Sequence, residues 1–317
     1  MLTLPAAPNG KIGWPWTGTH TAVTGGEWPR ITIVTPNFNQ GRFIERMFRS
    51  IHGQSYPNLE HIVIDAASTD ESLAVIRRYE SLLYYWVSEK DRGQTHGINK
   101  GLERATGEIV NWVNADDILY DGALFEVARA WKADRPHLFI GASVDVDVDG
   151  RELKRNLPRL RENPLWLMAY WESVVPQPST FFSRSLLQSV GPLDEKMNYR
   201  MDWEFYLRAI SHLGKELRIA KTDVFLSEIT YHADCKSMNS ITGFNAEAIA
   251  VWRKLMPRLP LSFRVRARLW LNWFESMDKV EAGRAKGRGY LLWRVLSDPK
   301  TWPYRFTWGA LKQSLFP

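Results

Sequence analysis

Cysteine is almost absent from this sequence, since Cys235 is the only one among 317 residues. A single cysteine excludes a disulfide bond within the chain and any metal site that is built from pairs of cysteines. Disulfide-rich chains belong to oxidising compartments, so this scarcity favours a reducing one. We therefore expect the protein to be cytoplasmic.

Long apolar runs are also missing. No stretch of the sequence approaches the roughly 18 consecutive apolar residues that a membrane-spanning helix requires. Residues 1–29 lack the basic start and the apolar run of a signal peptide, and we expect them to form a loop-rich arm. The sequence therefore predicts a protein that is either soluble or bound to a membrane surface.

An excess of basic residues is absent from the main body of the chain. Residues 1–259 contain 30 Lys and Arg against 31 Asp and Glu, which argues against a nucleic-acid enzyme with a basic active face. Residues 260–317 contain 11 against 4, together with five of the fifteen tryptophans. Basic, aromatic helices of this kind lie in membrane interfaces. We predict that this tail contacts an anionic membrane surface at the cytoplasmic face; a helical cap or a homo-oligomer contact is the alternative.

From Arg30 onward, strand-forming runs alternate with helical patterns. The runs "RITIVT", "HIVIDAA", "YYWVSEK" and "EIVNWVN" are separated by segments whose apolar residues have helical spacing, as in "GRFIERMFRSIHGQ". Strands that are connected by crossover helices form parallel sheets. The sequence therefore predicts an α/β domain with a mixed, mainly parallel sheet flanked by helices.

After Asp121 the pattern changes. Alternating residues around Asp149 and Gly150 predict a hairpin, and we interpret its aspartates, Asp145 among them, as a solvated strand face because they match a calcium loop only in part. A Trp-rich helix is predicted over residues 163–174 and another helix near Met201. We expect a catalytic domain over residues 30–240 and a helical C-terminal extension over residues 241–317.

Polar residues follow each predicted strand, and two adjacent carboxylates, Asp116 and Asp117, follow the fourth. The carboxyl ends of parallel strands meet at one edge of a sheet, where ligands bind. Adjacent carboxylates repel each other unless a proton or a cation neutralises them. Mg²⁺ or Mn²⁺ is commonly held by one or two carboxylates and the phosphates of a substrate, so these residues indicate a site for a metal-bound diphosphate.

The segments "TPNFN", "IDAASTD", "SEKDRGQTHGINKG", "ATGEIVNWVNADD", "PQPSTFF" and "YRMDWEFYLR" occur in this order. Over residues 30–240 the chain resembles glycosyltransferase family 2, the inverting nucleotide-sugar transferases with the A-type fold. The resemblance implies that the nucleotide-sugar lies against Thr35, Pro36, Asn39, Asp65, Arg92, Asn99, Asn114, Ala115, Asp116 and Asp117. In these roles Asp65 would accept a hydrogen bond from the imide of the base, which favours uracil.

The resemblance also implies how the reaction proceeds. Asp116 would bind the metal, with Asn114 in place of the first aspartate of the family's Asp-x-Asp motif, and His232 would complete the metal site or touch the diphosphate. Asp202 matches the base that removes a proton from the acceptor hydroxyl. Residue patterns alone leave Asp202 and Glu204 as equal candidates for that base. The pocket for the donor sugar or the acceptor is assigned to Gln177, Pro178, Ser179, Trp203 and Glu204.

Together these features predict an inverting, metal-dependent transferase that uses a nucleotide-sugar, with UDP-sugar as the expected donor and Mn²⁺ or Mg²⁺ as cofactor. The expected acceptor is a saccharide or a lipid-linked saccharide in the synthesis of surface glycans, and nucleic acid is not an expected partner. One alternative is the transfer of a sugar to a polyprenyl phosphate. A second alternative, from another class, is a module that binds nucleotides or glycans without catalysis.

Overall fold

The computed structural model describes residues 4–17, 26–132, 134–158, 175–236 and 241–258, together with single positions between 261 and 275. These residues fall into two compact units, of which the first contains residues up to His232 and the second begins at Ala233. The helix predicted over 163–174 and nearly all of the basic tail lie outside the described residues. None of the described helices combines the length and the apolar character that crossing a membrane requires.

The described strands of the first unit form one mixed sheet. They are β1 (Ile31–Asn37), β2 (Leu59–Asp65), β3 (Tyr85–Ser88), β4 (Ile109–Trp112), β5 (Ile118–Leu119), β6 (His137–Asp147), β7 (Glu152–Asn156), β8 (Thr180–Ser183) and β9 (Arg218–Tyr231). The order across the sheet is β3-β2-β1-β4-β8-β6-β9-β5, and β7 pairs with β6. The first four strands in this order are parallel, and β9 is parallel to β6. The predicted mixed, mainly parallel sheet is therefore confirmed.

Helices connect and cover these strands. They are α1 (Gly41–His52), α2 (Ser72–Tyr79), α3 (Gln94–Leu102), α4 (Ala123–Ala130), α5 (Arg184–Val190) and α6 (Met201–Leu213), with single 3-10 turns at Glu80–Leu82, Gln177–Ser179 and Gly214–Glu216. Helices α1 and α2 each connect two neighbouring parallel strands, and α3 leads from β3 back to β4, which is parallel to β1 on its other side. The carboxyl ends of β1, β2 and β4 consequently meet at one edge of the sheet.

Helix α1 is positioned beside that edge by its buried apolar residues and by the glycine at its start. Ile44, Met47, Phe48 and Ile51 recur at helical spacing and are fully buried in the core. Burial of one such side chain contributes about 1.5–3 kcal/mol, so the apolar stripe fixes the rotation of the helix. At the first residue, Gly41, a Cβ atom would lie only 2.9 Å from the backbone nitrogen of Ser72, so the helix can begin this close to α2 only with glycine.

The aspartates of the β6–β7 hairpin correct one expectation. The interpretation of Asp145 as part of a solvated strand face is wrong, because this residue is buried and accepts a hydrogen bond from Nδ2 of Asn156 at 2.6 Å. The reason is that β6 lies inside the sheet, with β7 on one side and β9 on the other. The exposed part of the hairpin is the turn at Asp149 and Gly150 together with residues 151–155, which include most of β7.

The second unit contains the helix α7 (Ile241–Leu255), which is followed by a 3-10 turn at Met256–Arg258. Ala248, Val251, Trp252 and Leu255 are buried. Nη2 of Arg253 lies 2.7 Å from Oε1 of Glu275. The predicted membrane contact of residues 260–317 stays a prediction.

Candidate active site

The ends of β1, β2 and β3 are joined by the carboxylate of Asp65. It is fully buried and accepts hydrogen bonds from Nδ2 of Asn37 (2.6 Å), from Oγ of Ser88 (2.6 Å), and from the hydroxyl and the amide nitrogen of Ser68 (2.5 and 3.0 Å). Both oxygens are therefore used within the protein. The resemblance implies that Asp65 binds the nucleobase of the donor. In the structure its carboxylate holds β1, β3 and the loop after β2 together, and it thereby shapes this edge.

Other residues of β1 divide between the core and the edge. Thr35 and Pro36 are buried, and the Thr35 hydroxyl lies 3.0 Å from Nε2 of His61 beneath the sheet edge. Asn39 is exposed, and its Oδ1 accepts from the amide nitrogen of Thr69 at 2.8 Å. Phe38 was not predicted as a site residue, yet 60% of this side chain is exposed between Asn37 and Asn39. Its signal in the sequence was an aromatic residue inside the polar "TPNFN" segment.

Residues 114–117 form a turn between β4 and β5. The amide nitrogen of Asp117 donates to the Asn114 carbonyl at 3.1 Å, and Nδ2 of Asn114 donates to the Asp117 carboxylate at 3.2 Å. Oδ1 of Asn114 accepts from Gln94 of α3 at 2.8 Å. Ala115 is buried, as is Asp117, and burial raises the pKa of Asp117 well above its usual value, with a further increase from the charge of Asp116. Asp116 is the carboxylate of this turn that remains partly open to solvent.

Asp116 contacts His232, which directly follows β9. Oδ2 of Asp116 lies 2.9 Å from Nε2 of His232, and the imidazole ring packs on Phe43 with 4.7 Å between the ring centroids. Nη2 of Arg42 lies 3.3 Å from the other ring nitrogen, Nδ1. A guanidinium group only donates, so Nδ1 accepts here and Nε2 donates to Asp116; a metal ion on Nε2 would require the other tautomer, with the proton on Nδ1.

Asp116 and His232 are the residues that could hold a metal ion. Within the described ranges, no group of three or more His, Cys, Asp and Glu side chains is arranged to bind one. Two protein ligands are nevertheless compatible with Mg²⁺ or Mn²⁺, which keep waters and bind substrate phosphates. In octahedral coordination with bonds of about 2.1 Å, neighbouring ligand atoms lie ~3 Å apart, and the Asp116–His232 separation of 2.9 Å fits this value.

Side chains of helix α3 contact both the turn after β4 and the loop that leads into α6. Asn99 is buried, and its side chain amide exchanges two hydrogen bonds with the backbone of Leu193, at 2.9 and 3.0 Å. The hydroxyl of Thr95 donates to the carbonyl of Met197 at 2.6 Å. Arg92 forms an exposed ion pair with Glu195 at 2.6 Å. Arg92 and Asn99, both assigned to the nucleotide by resemblance, thus hold the loop over residues 193–197.

The two candidate bases lie in the first turn of α6 in different surroundings. Asp202 is partly exposed, and its charge adds to the effect of burial in raising the pKa of Tyr206, so the two groups are close. Glu204 is fully buried and is held by Arg208 through three hydrogen bonds, two of 3.1 Å and one of 2.9 Å. Arg208 also donates to the carbonyls of residues 190–192. Glu204 is therefore an anchor of the helix, whereas Asp202, like its half-buried neighbour Trp203, is accessible.

The segment with Gln177, Pro178 and Ser179 lies beside β4. Nε2 of Gln177 donates to the Trp112 carbonyl at 2.7 Å, and Nδ2 of Asn111 donates to the Pro178 carbonyl at 2.9 Å. Ser179 is fully buried and donates to the Ala142 carbonyl at 2.7 Å. Only Gln177 among the three retains exposed surface, so Pro178 and Ser179 support this wall of the site from behind.

The chain is similar in sequence to known glycosyltransferases. The sequence model of the family described as "Glycosyl transferase family 2" matches residues 32–191. An uncharacterized glycosyltransferase of Mycobacterium tuberculosis is 30% identical over 187 residues, which cover 57% of this chain and 69% of that protein. A PGL/p-HBAD biosynthesis glycosyltransferase of Mycobacterium bovis is 24% identical over 278 residues, or 84% of this chain and 98% of that protein.

Two solved structures are similar in fold. S. aureus TarS 1-349 in complex with UDP-GlcNAc has a TM-score of 0.60 at 18% identity, and the match covers 80% of this chain and 73% of TarS. The mannosyltransferase PcManGT from Pyrobaculum calidifontis, in complex with GDP-Man and Mn²⁺, has a TM-score of 0.56 at 18% identity, with 91% of this chain and 85% of PcManGT covered. At these identities the likeness establishes a shared fold.

Proposed function

Because this chain belongs to glycosyl transferase family 2 and has the A-type glycosyltransferase fold, we propose that it transfers a sugar, with inversion, from a UDP-sugar to a hydroxyl group of a saccharide or lipid-linked saccharide. The observation that carries this proposal is the pair of Asp116 and His232 at the carboxyl edge of the sheet, 2.9 Å apart. UDP-GlcNAc in the complex of TarS, a protein of the same fold, supports the choice of donor.

In the proposed site the nucleoside lies against the ends of β1 and β2, with Phe38 and Asn39 as its exposed neighbours. The diphosphate lies at the turn after β4. Asp116 and His232 hold Mn²⁺ or Mg²⁺, which when bound supplies positive charge against the leaving diphosphate. The Mn²⁺ in the PcManGT complex supports this cofactor.

Asp202 acts as the general base. It removes the proton from the acceptor hydroxyl while that oxygen forms a bond to the anomeric carbon and the bond to the nucleoside diphosphate breaks on the opposite face. Attack from the opposite face inverts the anomeric configuration. Glu204 is less suited to this role because its carboxylate is buried and bound by Arg208.

The test is turnover of a panel of UDP-, GDP- and dTDP-sugars by the full-length protein, with and without Mn²⁺. We expect a UDP-sugar to be consumed, and proton NMR of the product to show the anomeric configuration opposite to that of the donor. Retention of configuration would contradict the inverting mechanism. Binding of a nucleotide-sugar without transfer to any saccharide acceptor would instead favour a binding module.

We propose that the reaction takes place at the cytoplasmic face of a membrane, with residues 260–317 on anionic lipid. The charge of this tail supports the proposal. In flotation with vesicles of anionic phospholipid, the full chain should float, and the triple change of Arg264, Arg266 and Arg268 to Gln should weaken flotation. Equal flotation of both proteins would contradict the proposal.

A further inference from the structure

The outer face of helix α1 carries two arginines, Arg42 and Arg46, which are one helical turn apart. Residues at this spacing lie on the same side of a helix, and both guanidinium groups reach toward the end of β9. Nη2 of Arg46 lies 2.5 Å from Oε1 of Glu228, and Nη2 of Arg42 lies 3.3 Å from Nδ1 of His232. Helix α1 is thereby tied to the strand whose end carries the histidine of the proposed metal site.

The surroundings of the two arginines differ in a way that matters for ligands. Arg46 is half-buried and bound to a buried carboxylate, whose other oxygen lies 3.5 Å from the hydroxyl of Tyr120. Arg42 is exposed, in the first turn of the helix, and its guanidinium group lies 4.5 Å from the ring centroid of Phe43. The ring of Phe43 packs in turn on His232. Arg42 therefore stands at the rim of the site, with one imidazole ring between it and Asp116.

We propose that Arg42 is a ligand of the donor's diphosphate; this inference rests on the proposed function. A guanidinium group presents paired N–H donors that match phosphate oxygens, and such charge-assisted bonds are stronger than neutral ones. The first turn of α1 contains no acidic residue, and the positive end of the helix dipole adds to the charge of Arg42.

The composition of the site increases the importance of this cation. A nucleoside diphosphate brings several negative charges to a place where Asp116 already carries one. Asn114 stands where a second carboxylate would have strengthened the hold on a metal ion. A guanidinium group next to His232 balances part of the diphosphate charge directly.

The experiment measures the binding of UDP, UMP and uridine to the full-length protein by calorimetry at fixed Mn²⁺, with weak ligands measured by competition. Arg42→Gln should weaken UDP binding about tenfold or more, since charge-assisted hydrogen bonds are of this strength. The loss should be smaller for UMP and absent for uridine, which has no phosphate. Arg42→Lys should keep part of the affinity because the charge remains. Arg77→Gln, at an exposed position of α2, is the matched control and should bind UDP like the wild type.

A second comparison separates a diphosphate ligand from a residue that only orients His232. In a His232→Ala background, Arg42→Gln should still weaken UDP binding, because the guanidinium group acts on the phosphates themselves. If Arg42→Gln has no effect in this background, Arg42 acts through His232 and the inference is overturned. An equal loss for UDP and uridine would also overturn it.

The outcomes distinguish this inference from the proposed function. Wild-type protein that binds UDP, with Arg42→Gln binding it equally well, leaves the proposed function standing and overturns the inference alone. GDP and guanosine are measured in parallel. If the protein prefers guanine, the effect of Arg42→Gln is compared between GDP and guanosine instead of between UDP and uridine. Wild-type protein that binds none of these nucleotides contradicts the proposed function, and the inference falls with it.

Discussion

Oδ2 of Asp116 lies 2.9 Å from Nε2 of His232, although 116 positions separate the two residues in the sequence. The contact exists because β5 and β9 pair as antiparallel strands, with Ile118 opposite Glu228. This pairing brings the turn after β4 next to the residue that follows β9. A short edge strand thus assembles the proposed metal site.

Replacement of Asp116 by alanine should remove the Mn²⁺ dependence of UDP binding and lower kcat/KM by at least about a hundredfold, because transition-state charge stabilisation of this kind contributes several kcal/mol. Calorimetry with Mn²⁺ or with EDTA measures the first effect and initial rates the second. Asp149→Ala, in an exposed turn, is the control. Unchanged Mn²⁺-dependent binding and turnover in Asp116→Ala would contradict the metal assignment.

Asp202→Asn should lower catalysis without changing stability, whereas Glu204→Gln should lower stability without changing catalysis. General-base catalysis contributes about 10²–10⁴-fold, so Asp202→Asn should lower kcat by that factor while UDP affinity and melting temperature stay the same. Glu204→Gln weakens a buried ion pair with Arg208 and should cost roughly 1–3 kcal/mol of unfolding free energy. Its kcat per folded molecule should be close to that of the wild type. Loss of catalysis in Glu204→Gln, with stability intact, would reverse the assignment.

The same variant tests the alternative acceptor. A polyprenyl phosphate is already an anion and needs no base to lose a proton. Nearly full activity of Asp202→Asn on a phosphate acceptor, with no wild-type activity on saccharide hydroxyls, would establish sugar transfer to a polyprenyl phosphate in place of the proposed function.

Asn99→Ala tests whether this residue serves the nucleotide or the loop over 193–197. Its side chain exchanges two hydrogen bonds with Leu193, and the loop leads into the helix of Asp202. We expect a loss of roughly 1–3 kcal/mol of unfolding free energy and a lower kcat, with UDP affinity unchanged. Lys100→Gln, which removes an exposed ion pair with Glu89, is the control. A selective loss of UDP affinity would support the nucleotide contact that the family resemblance implies.

The sequence predicts those parts of the fold that local patterns encode. Helix α1 was predictable because Ile44, Met47, Phe48 and Ile51 have helical spacing, and the strands beside it because they are apolar runs bounded by polar residues. The long strand β9 was not predicted. Charged residues interrupt its sequence, and it is a strand because it pairs with β6 and β5, which are distant in the chain.

The site, like the fold, was predictable where local sequence determines it and not where contacts between distant residues do. Sequence motifs were enough to predict Asp116 and Asp202 as site residues. Alternative residues could be compared with them only once the structure showed their burial and contacts. Glu204 is two residues from Asp202 and has the same functional group, yet it is unsuited as a base because Arg208 reaches it from the next turn and fixes it in the core. Arg42 escaped notice because its relation to His232 depends on β9. Local sequence carries no information on that contact.

The stability of the protein should fall as the pH is lowered from about 6.5 to about 4. Burial lowers the pKa of His52 and of His137 to about 4, and it lowers the pKa of His61 well below its usual value. These rings are neutral in the folded chain, whereas the unfolded chain binds protons below a pH of about 6.5. The unfolded state therefore binds more protons in this window, so its stability increases relative to the native state as the pH falls.

Urea unfolding at pH 7, 6 and 5 measures this dependence. His137→Phe should reduce its slope by up to about 1.4 kcal/mol per pH unit, the effect of one proton. Phe139→Leu is the control, because the ring of Phe139 packs against that of His137 and does not titrate. It should change the unfolding free energy by the same amount at each pH and leave the slope unchanged. The explanation fails if His137→Phe keeps the wild-type slope.

Phe38 should bind the base of the donor, at the opposite end of the nucleotide from Arg42. Its ring is exposed at the end of β1, and stacking of a base on an aromatic side chain contributes about 1–3 kcal/mol. Phe38→Ala should therefore weaken UDP and uridine binding by similar factors, of about 5- to 150-fold, whereas Phe38→Tyr should bind both normally. Leu153→Ala, an exposed apolar residue of β7, is the control. A loss that affects UDP but not uridine would place Phe38 near the phosphates and contradict the orientation proposed for the donor.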